Sequence, residues 1–281
     1  MKYAIIGDIH GNLEAMEAVL RDMEQFHPDR IAVLGDNIDY GPNPIECLKR
    51  AYEIADILLM GNHELAAFLL GGGVYNQFGK AAISWQKSEL SRSEEWKLLK
   101  QRMKAEEFAA AKRIEDGILF VHGSPKDPVE EYARPCKEDY TPKDNDRYLL
   151  RILESFSERH CFCSHTHVPA LLIRASERRI MQWSSRNLAN SFYGDETIFF
   201  VPDGNAAVHG LENAKAIINS GSVGQPRRLG DNRASYLIYD RDTVEFRRVE
   251  YDFRETQRKI MELPFEVWLK EMLAEKLETG R

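Results

Sequence analysis

The sequence predicts an α/β fold, a four-layer α/β/β/α sandwich in which two mixed β-sheets face each other and helices flank them. Three observations carry this expectation. Short apolar runs at 3–6, 31–34, 57–60, 118–121 and 161–164 each lead into glycine or polar residues and read as buried strands. Helical patterns lie between several of them, which argues for crossovers and a largely parallel sheet over this part. Further runs at 197–201, 216–218, 235–239 and 244–251 follow more closely, as antiparallel strands of a second sheet would.

Each element has its own signal. After the first strand, Leu13, Met16, Val19, Leu20 and Met23 recur at spacings of three and four, one face of an amphipathic helix. Residues 64–115 read as a helical insertion, broken at Gly71, Gly72 and Gly73, with a capping-box signal of Ser91 followed by Glu94 ahead of Trp96 and Leu99. Residues 174–213 are polar, carry four arginines and interrupt the strand sequence, which suits either a substrate cap or a solvated excursion with no substrate contact. Asp240-Arg241-Asp242-Thr243 suits a hairpin turn. In the tail, about 252–281, Phe265, Trp268, Leu269, Met272, Leu273 and Leu277 form an apolar helical stripe that packs on its own domain or serves a homodimer. Residues 1–281 are read as one domain.

Composition excludes several classes. The chain has 281 residues, with 38 Lys and Arg against 45 Asp and Glu and a net charge of −7; the signs are interspersed, so no extended nucleic-acid surface is expected. No apolar run approaches the roughly 20 residues of a membrane helix. The N-terminal apolar run is interrupted by Asp8 before it could serve a signal peptide, and Cys47, Cys136, Cys161 and Cys163 have no disulfide-framework spacing. Both point to a reducing, cytoplasmic setting.

Chemistry collects where the strands end. The five runs lead into Gly7-Asp8-Ile9-His10-Gly11-Asn12, Gly35-Asp36-Asn37-Ile38-Asp39-Tyr40, Gly61-Asn62-His63-Glu64, His122-Gly123-Ser124-Pro125 and Ser164-His165-Thr166-His167. In an open parallel sheet the carboxyl ends face one crevice, so these clusters should converge. Asp8 and His10, two apart in extended backbone, would share one side. Asp8, His10, Asp36, Asn62, His122, His165 and His167 offer imidazole, carboxylate and amide ligands, a set suited to manganese, iron, zinc or nickel rather than calcium. Seven ligands are too many for one tetrahedral ion but serve two divalent ions sharing a carboxylate. His160 reads as structural, His27 and His209 as surface residues, and Cys161 and Cys163 as buried thiols.

These five blocks resemble the signature of the calcineurin-like metallophosphoesterases, over residues 7 to 167. The resemblance implies that Asp8, His10 and His167 hold one ion, that Asn62, His122 and His165 hold the other, and that Asp36 bridges, with manganese the expected metal. It further implies that His63, paired with Asp39, acts on the leaving group, and that hydroxide held between the ions attacks phosphorus in line. Residues 218–227, Ile-Asn-Ser-Gly-Ser-Val-Gly-Gln-Pro-Arg, resemble the Asn-x-Gly-Ser-x-Gly segment of bacterial predicted phosphodiesterases, whose Gly221 and Ser222 would let backbone N–H groups approach an anion.

Protein serine/threonine phosphatases of this superfamily carry arginine where Tyr40 stands, so a phosphodiesterase or dinucleoside polyphosphate hydrolase is the expected enzyme; a protein phosphatase or phosphomonoesterase is the alternative, and a non-catalytic scaffold of the same fold comes after it. The expected substrate is small and phosphorylated, with a nucleotide as one form. Tyr40, Arg134, Arg178, Arg179, Trp183, Arg186, Gly221, Ser222 and Arg227 are the candidates to contact it.

Overall fold

A computed structural model describes residues 1–68, 85–106, 110–135, 141–180, 182–183 and 192–280. The chain opens with strand β1 (Lys2–Ile6), whose residues alternate between two apolar environments. Tyr3 and Ile5 join a core between the sheets, while Ala4 and Ile6 join a second core under a helix. That helix is α1 (Leu13–Glu24), begun by Asn12, whose side chain accepts the Ala15 N–H at 3.1 Å. Strands β2 (Arg30–Val33) and β3 (Ile57–Leu58) follow in parallel register, joined by α2 (Pro44–Ile54).

The expected insertion holds α3 (Asn62–Phe68), the helical residues 85–90 (α4) and α5 (Glu94–Glu106). Its capping box is displaced. Ser91 closes the preceding turn through its N–H on Lys87 O, and Ser93 caps α5 by accepting the Trp96 N–H. The insertion also ends earlier than expected, because β4 (Lys112–Glu115) pairs antiparallel with β5 (Ile118–Val121). The glycine break at 71–73 lies outside the described residues.

The remaining elements are α6 (Pro142–Leu153), β6 (His160–Cys163), β7 (Pro169–Arg174), a 3-10 turn (Ala175–Ile180), β8 (Gln182–Trp183), β9 (Phe192–Tyr193), β10 (Thr197–Phe200), β11 (Ala206–His209), β12 (Ala216–Ser220), β13 (Ala234–Asp240), β14 (Thr243–Val249), α7 (Phe253–Glu262) and α8 (Val267–Thr279). One sheet runs β3-β2-β1-β13-β14-β11-β8, the other β4-β5-β6-β12-β7-β10-β9, seven strands in each. Tyr3, Ile5, Phe120, Phe162, Leu171, Ile218, Leu237 and Phe246 fill the space between them. α1 covers the outer face of the first sheet and α6 that of the second, which completes the four layers. The turn between β13 and β14 is the two residues Arg241 and Asp242, as expected.

Two expectations change. The five chemistry-bearing strands do not share one parallel sheet: β1, β2 and β3 belong to the first, and β5 and β6, parallel to each other, to the second. The region 174–213 is not a cap throughout, since β8 and β11 extend one sheet and β9 and β10 the other. The apolar stripe of the tail packs inward: Leu269, Leu273 and Leu277 bury with Ile260 and Leu263 against Tyr40 and Trp85, while Trp268 stays 46% exposed. No described helix is long and apolar enough to cross a membrane.

Candidate metal centre

The two sheets are stitched together at the carboxyl ends of β1, β2, β5 and β6. Asp8 N–H donates to Gly35 O, His10 N–H to Asp36 O and Ser164 N–H to His122 O, while His165 N–H crosses between sheets to Asp8 Oδ2 at 2.9 Å. Tight turns are the cost of this convergence. Seven of the ten described non-glycine residues with positive φ stand here: Asp8, His10, Asp36, Asp39, Tyr40, His165 and His167. Asp8 and His10 thus share a side through two left-handed turns, not through the extended backbone expected.

The ligand atoms form two groups. Asp8, His10, Asp36 and His167 bring theirs within 4.8 Å of one another, and so do Asp36, His122 and His165. Asp36 belongs to both. His10 Nε2 and His167 Nε2 are 3.2 Å apart, His122 Nε2 and His165 Nδ1 3.1 Å, and Asn62 Oδ1 lies 3.1 Å from His122 Nε2.

The other ring nitrogen of each histidine faces a backbone carbonyl, which can only accept. His10 Nδ1 donates to Ile38 O, His122 Nδ1 to Leu34 O, His167 Nδ1 to Gln225 O and His165 Nε2 to Glu130 O, at 3.1, 2.9, 2.6 and 3.1 Å. This fixes the tautomers and turns four lone pairs inward, as metal-bound histidine requires. Asp8 Oδ1 and Asp36 Oδ2 are buried without a hydrogen-bond partner. Lone pairs and unpartnered carboxylate oxygens crowded so closely repel one another, and divalent cations are the groups that satisfy them all. The residues therefore fit a dinuclear centre.

Protonation agrees. Burial lowers His10, His165 and His167, so they are neutral ligands at pH 7. Burial also opposes charge on His122, but Asp36 and Asp8 outweigh it and raise this imidazole to about 9. Asp8 is pushed up to about 7 by burial, with Asp36 adding to it. Burial would raise Asp36 too, yet His122, His63 and His10 hold it well below the usual range.

His63, the residue after Asn62, donates its N–H to Asp36 Oδ1 at 3.0 Å. Its ring places Nε2 3.9 Å from Asp36 Oδ2 and Nδ1 2.6 Å from Asp39 Oδ2. Burial works against its charge, but Asp36 and the Asp39 bond raise it to about 9, making it an imidazolium at neutral pH.

Several residues at the site carried no assigned role in the sequence. Glu64 is fully buried and accepts N–H bonds from Asp36, Asn37 and Gly61 at 2.9, 2.7 and 2.8 Å, pinning two ligand loops together. Its only signal was its place in the Gly-Asn-His-Glu block. Gln86 accepts the Asp39 N–H. Tyr132 stacks on His165 with centroids 4.3 Å apart, and Arg134 lies over Tyr132 at 4.7 Å, which brings Arg134 to the site rim. Tyr40 stands 4.8 Å from His10 and 4.9 Å from His63, ring centre to ring centre.

The glycine-rich segment after β12 is not an anion cradle. Val223 N–H and Gly224 N–H donate to Gly7 O and Asp8 O, and Ser222 Oγ donates to Asp8 O at 2.8 Å. A Cβ on Gly224 would fall 1.8 Å from Ile9 O, and Gly221, at φ +71°, presses on Pro169. Ser222, Val223 and Gly224 thus clamp the Asp8 loop, while Gly221 spends its N–H on Asn219 Oδ1. Arg227, just beyond, bonds the side chain of Gln225, whose carbonyl anchors His167.

The arginines after β7 are elsewhere. β7 starts beside His167 and runs away for six residues, about 20 Å, so exposed Arg178 lies at the opposite end of the sheet. Trp183 sits on an edge strand four positions from β1. Arg186 and the side chains of Arg179 and Trp183 lie outside the described residues. His160 is satisfied by Tyr239 OH and Leu211 O, at 2.8 Å each, and His27 and His209 are exposed, as expected. Cys47, Cys161 and Cys163 are free and buried, and burial raises all three thiols.

Known proteins resemble this chain. A profile described as calcineurin-like phosphoesterase matches residues 1–169. An uncharacterized protein of Methanocaldococcus jannaschii is 32% identical over 277 residues, 96% of each chain. A metallophosphoesterase from Sphaerobacter thermophilus, a solved structure, is 31% identical, covers 100% of both chains and superposes with a TM-score of 0.76. A symmetrical bis(5'-nucleosyl)-tetraphosphatase of Pseudomonas fluorescens is 38% identical over 64 residues, 21% of this chain and 22% of that one.

Proposed function

Because the chain belongs to the calcineurin-like phosphoesterases, metal-dependent hydrolases of phosphoesters with a dinuclear centre, we propose that it cleaves phosphodiester or nucleotide polyphosphate bonds. The carrying observation is Asp36, whose carboxylate belongs to both ligand groups while four carbonyl-anchored histidines aim lone pairs at them. Asp8, His10 and His167 would hold one ion and Asn62, His122 and His165 the other, with Asp36 between and manganese the expected metal. Two such ions supply charge neutralisation of the phosphate and activation of water.

The rest falls to side chains. His63, kept charged by Asp36 and Asp39, holds a proton at Nε2 for the departing oxygen. Tyr40 and Tyr132 wall the site with aromatic rings, and Tyr40 supplies no guanidinium fork where a protein phosphatase has one, which favours a small substrate. The stretch shared with the tetraphosphatase of Pseudomonas fluorescens supports a nucleotide polyphosphate.

The test is hydrolysis of bis-p-nitrophenyl phosphate by manganese-loaded protein. Turnover that chelation abolishes is expected. Loaded protein inert on phosphomonoesters, phosphodiesters and pyrophosphates would sink the proposal.

A further inference from the structure

Arg227 and Lys276, distant in sequence, meet at the rim of the metal centre. Arg227 follows the Gln225 whose carbonyl anchors His167, and its guanidinium bonds Gln225 Oε1 at 3.3 Å. Lys276 arrives on the last turn of α8, its Nζ 6.0 Å from the centre of the Tyr40 ring that borders His10 and His63. Burial, with Arg227 adding to it, holds the lysine below its usual range.

Both side chains are half-buried, and among the described residues neither forms an ion pair with a carboxylate. Two like charges brought together without a carboxylate ion pair favour an anion that joins them. Their juxtaposition is fixed by backbone. Gly280 ends α8 at φ +69°, donates its N–H to Lys276 O at 3.0 Å, and lies so close to the next loop that a Cβ would stand 2.1 Å from Arg228 O. Gly230 N–H donates to Thr279 O at 3.0 Å. The helix end is thus built onto the loop that carries Arg227.

We propose that Arg227 and Lys276 form an anion subsite that holds a second phosphate of the substrate, next to the one at the metal ligands. This deepens the proposed function and rests on it: the preferred substrate is a polyphosphate chain or another ester with a second anionic group, not a simple diester. The C-terminal helix, outside the family's signature blocks, then contributes to specificity.

The experiment compares kcat/KM on diadenosine tetraphosphate with kcat/KM on bis-p-nitrophenyl phosphate for manganese-loaded wild type, Lys276→Ala, Lys276→Arg and Arg227→Ala. The ratio should fall roughly tenfold or more in the two alanine variants, mainly through KM, and recover in Lys276→Arg. Calorimetry with β,γ-methylene-ATP should show the same order of affinities, with the differences shrinking in high salt. An unchanged ratio, or an arginine variant as impaired as the alanine, overturns the subsite while diester turnover leaves the phosphoesterase proposal standing. Wild type inert on both substrates overturns that proposal, and the calorimetric contrast then decides the subsite alone.

Discussion

His63 Nδ1 and Asp39 Oδ2 are 2.6 Å apart, both side chains buried, in a site whose other histidines are anchored by backbone carbonyls. A carboxylate partner favours the charged imidazole, where a carbonyl only fixes a tautomer. His63 is thereby set apart from the ligands at its side.

That difference separates catalyst from ligand. His63→Ala should keep both ions and lose on the order of 10²–10³ in kcat, whereas Asp36→Ala should lose metal and activity together. Metal analysis beside kinetics checks it. Equal metal loss in the two variants would show His63 to be a ligand.

The charge on His63 can be observed directly. In metal-free protein its imidazole should titrate near pH 9, and Asp39→Asn should move that midpoint down. The folded value lies above the ordinary 6.5, so the pair stabilises fully below pH 6.5 and the contribution fades as pH rises through about 9. Histidine-resolved NMR titration reads both effects; an unmoved midpoint in Asp39→Asn would contradict the assignment.

Metal binding should release protons. Without metal, His122 is held up at about 9 and Asp8 at about 7, and a cation must displace those protons. Affinity for manganese should therefore climb as pH rises from 6 towards 9. Calorimetry in buffers of different ionisation enthalpy counts the protons, and none released at pH 6.5 would disprove the expectation.

Glu64 tests the scaffold beneath the ligands. Glu64→Ala leaves three buried N–H groups without an acceptor and should cost about 2–4 kcal/mol in denaturant unfolding. Glu64→Gln retains one acceptor oxygen, should cost less, and should weaken metal binding about tenfold. Wild-type stability in Glu64→Ala would refute the clamp.

Arg178, an expected substrate contact, should now behave as a surface residue. Its alanine variant should stay within about twofold of wild type on every substrate, because β7 carries it to the far end of the sheet. A selective loss on polyphosphates would restore the cap.

The resemblance to the metallophosphoesterases implied the division into two groups and the Asp39–His63 pair, while the sequence by itself picked out the seven candidate ligands. It could do so because each ligand sits within a few residues of a strand end, and strand ends are marked by local pattern. It also determined that the tail helix has an apolar face. Tertiary structure alone decided that the five strands are split between two sheets, since apolar runs do not name their neighbours. It decided that Ser222 and Gly224 clamp a loop and that Arg178 lies beyond the far end of β7, because a glycine-rich turn or an arginine reads alike in either place. And it decided that Lys276 reaches the site: a lone lysine on a helix has no local signature, and its position follows from where Gly280 lets the chain press against Arg228.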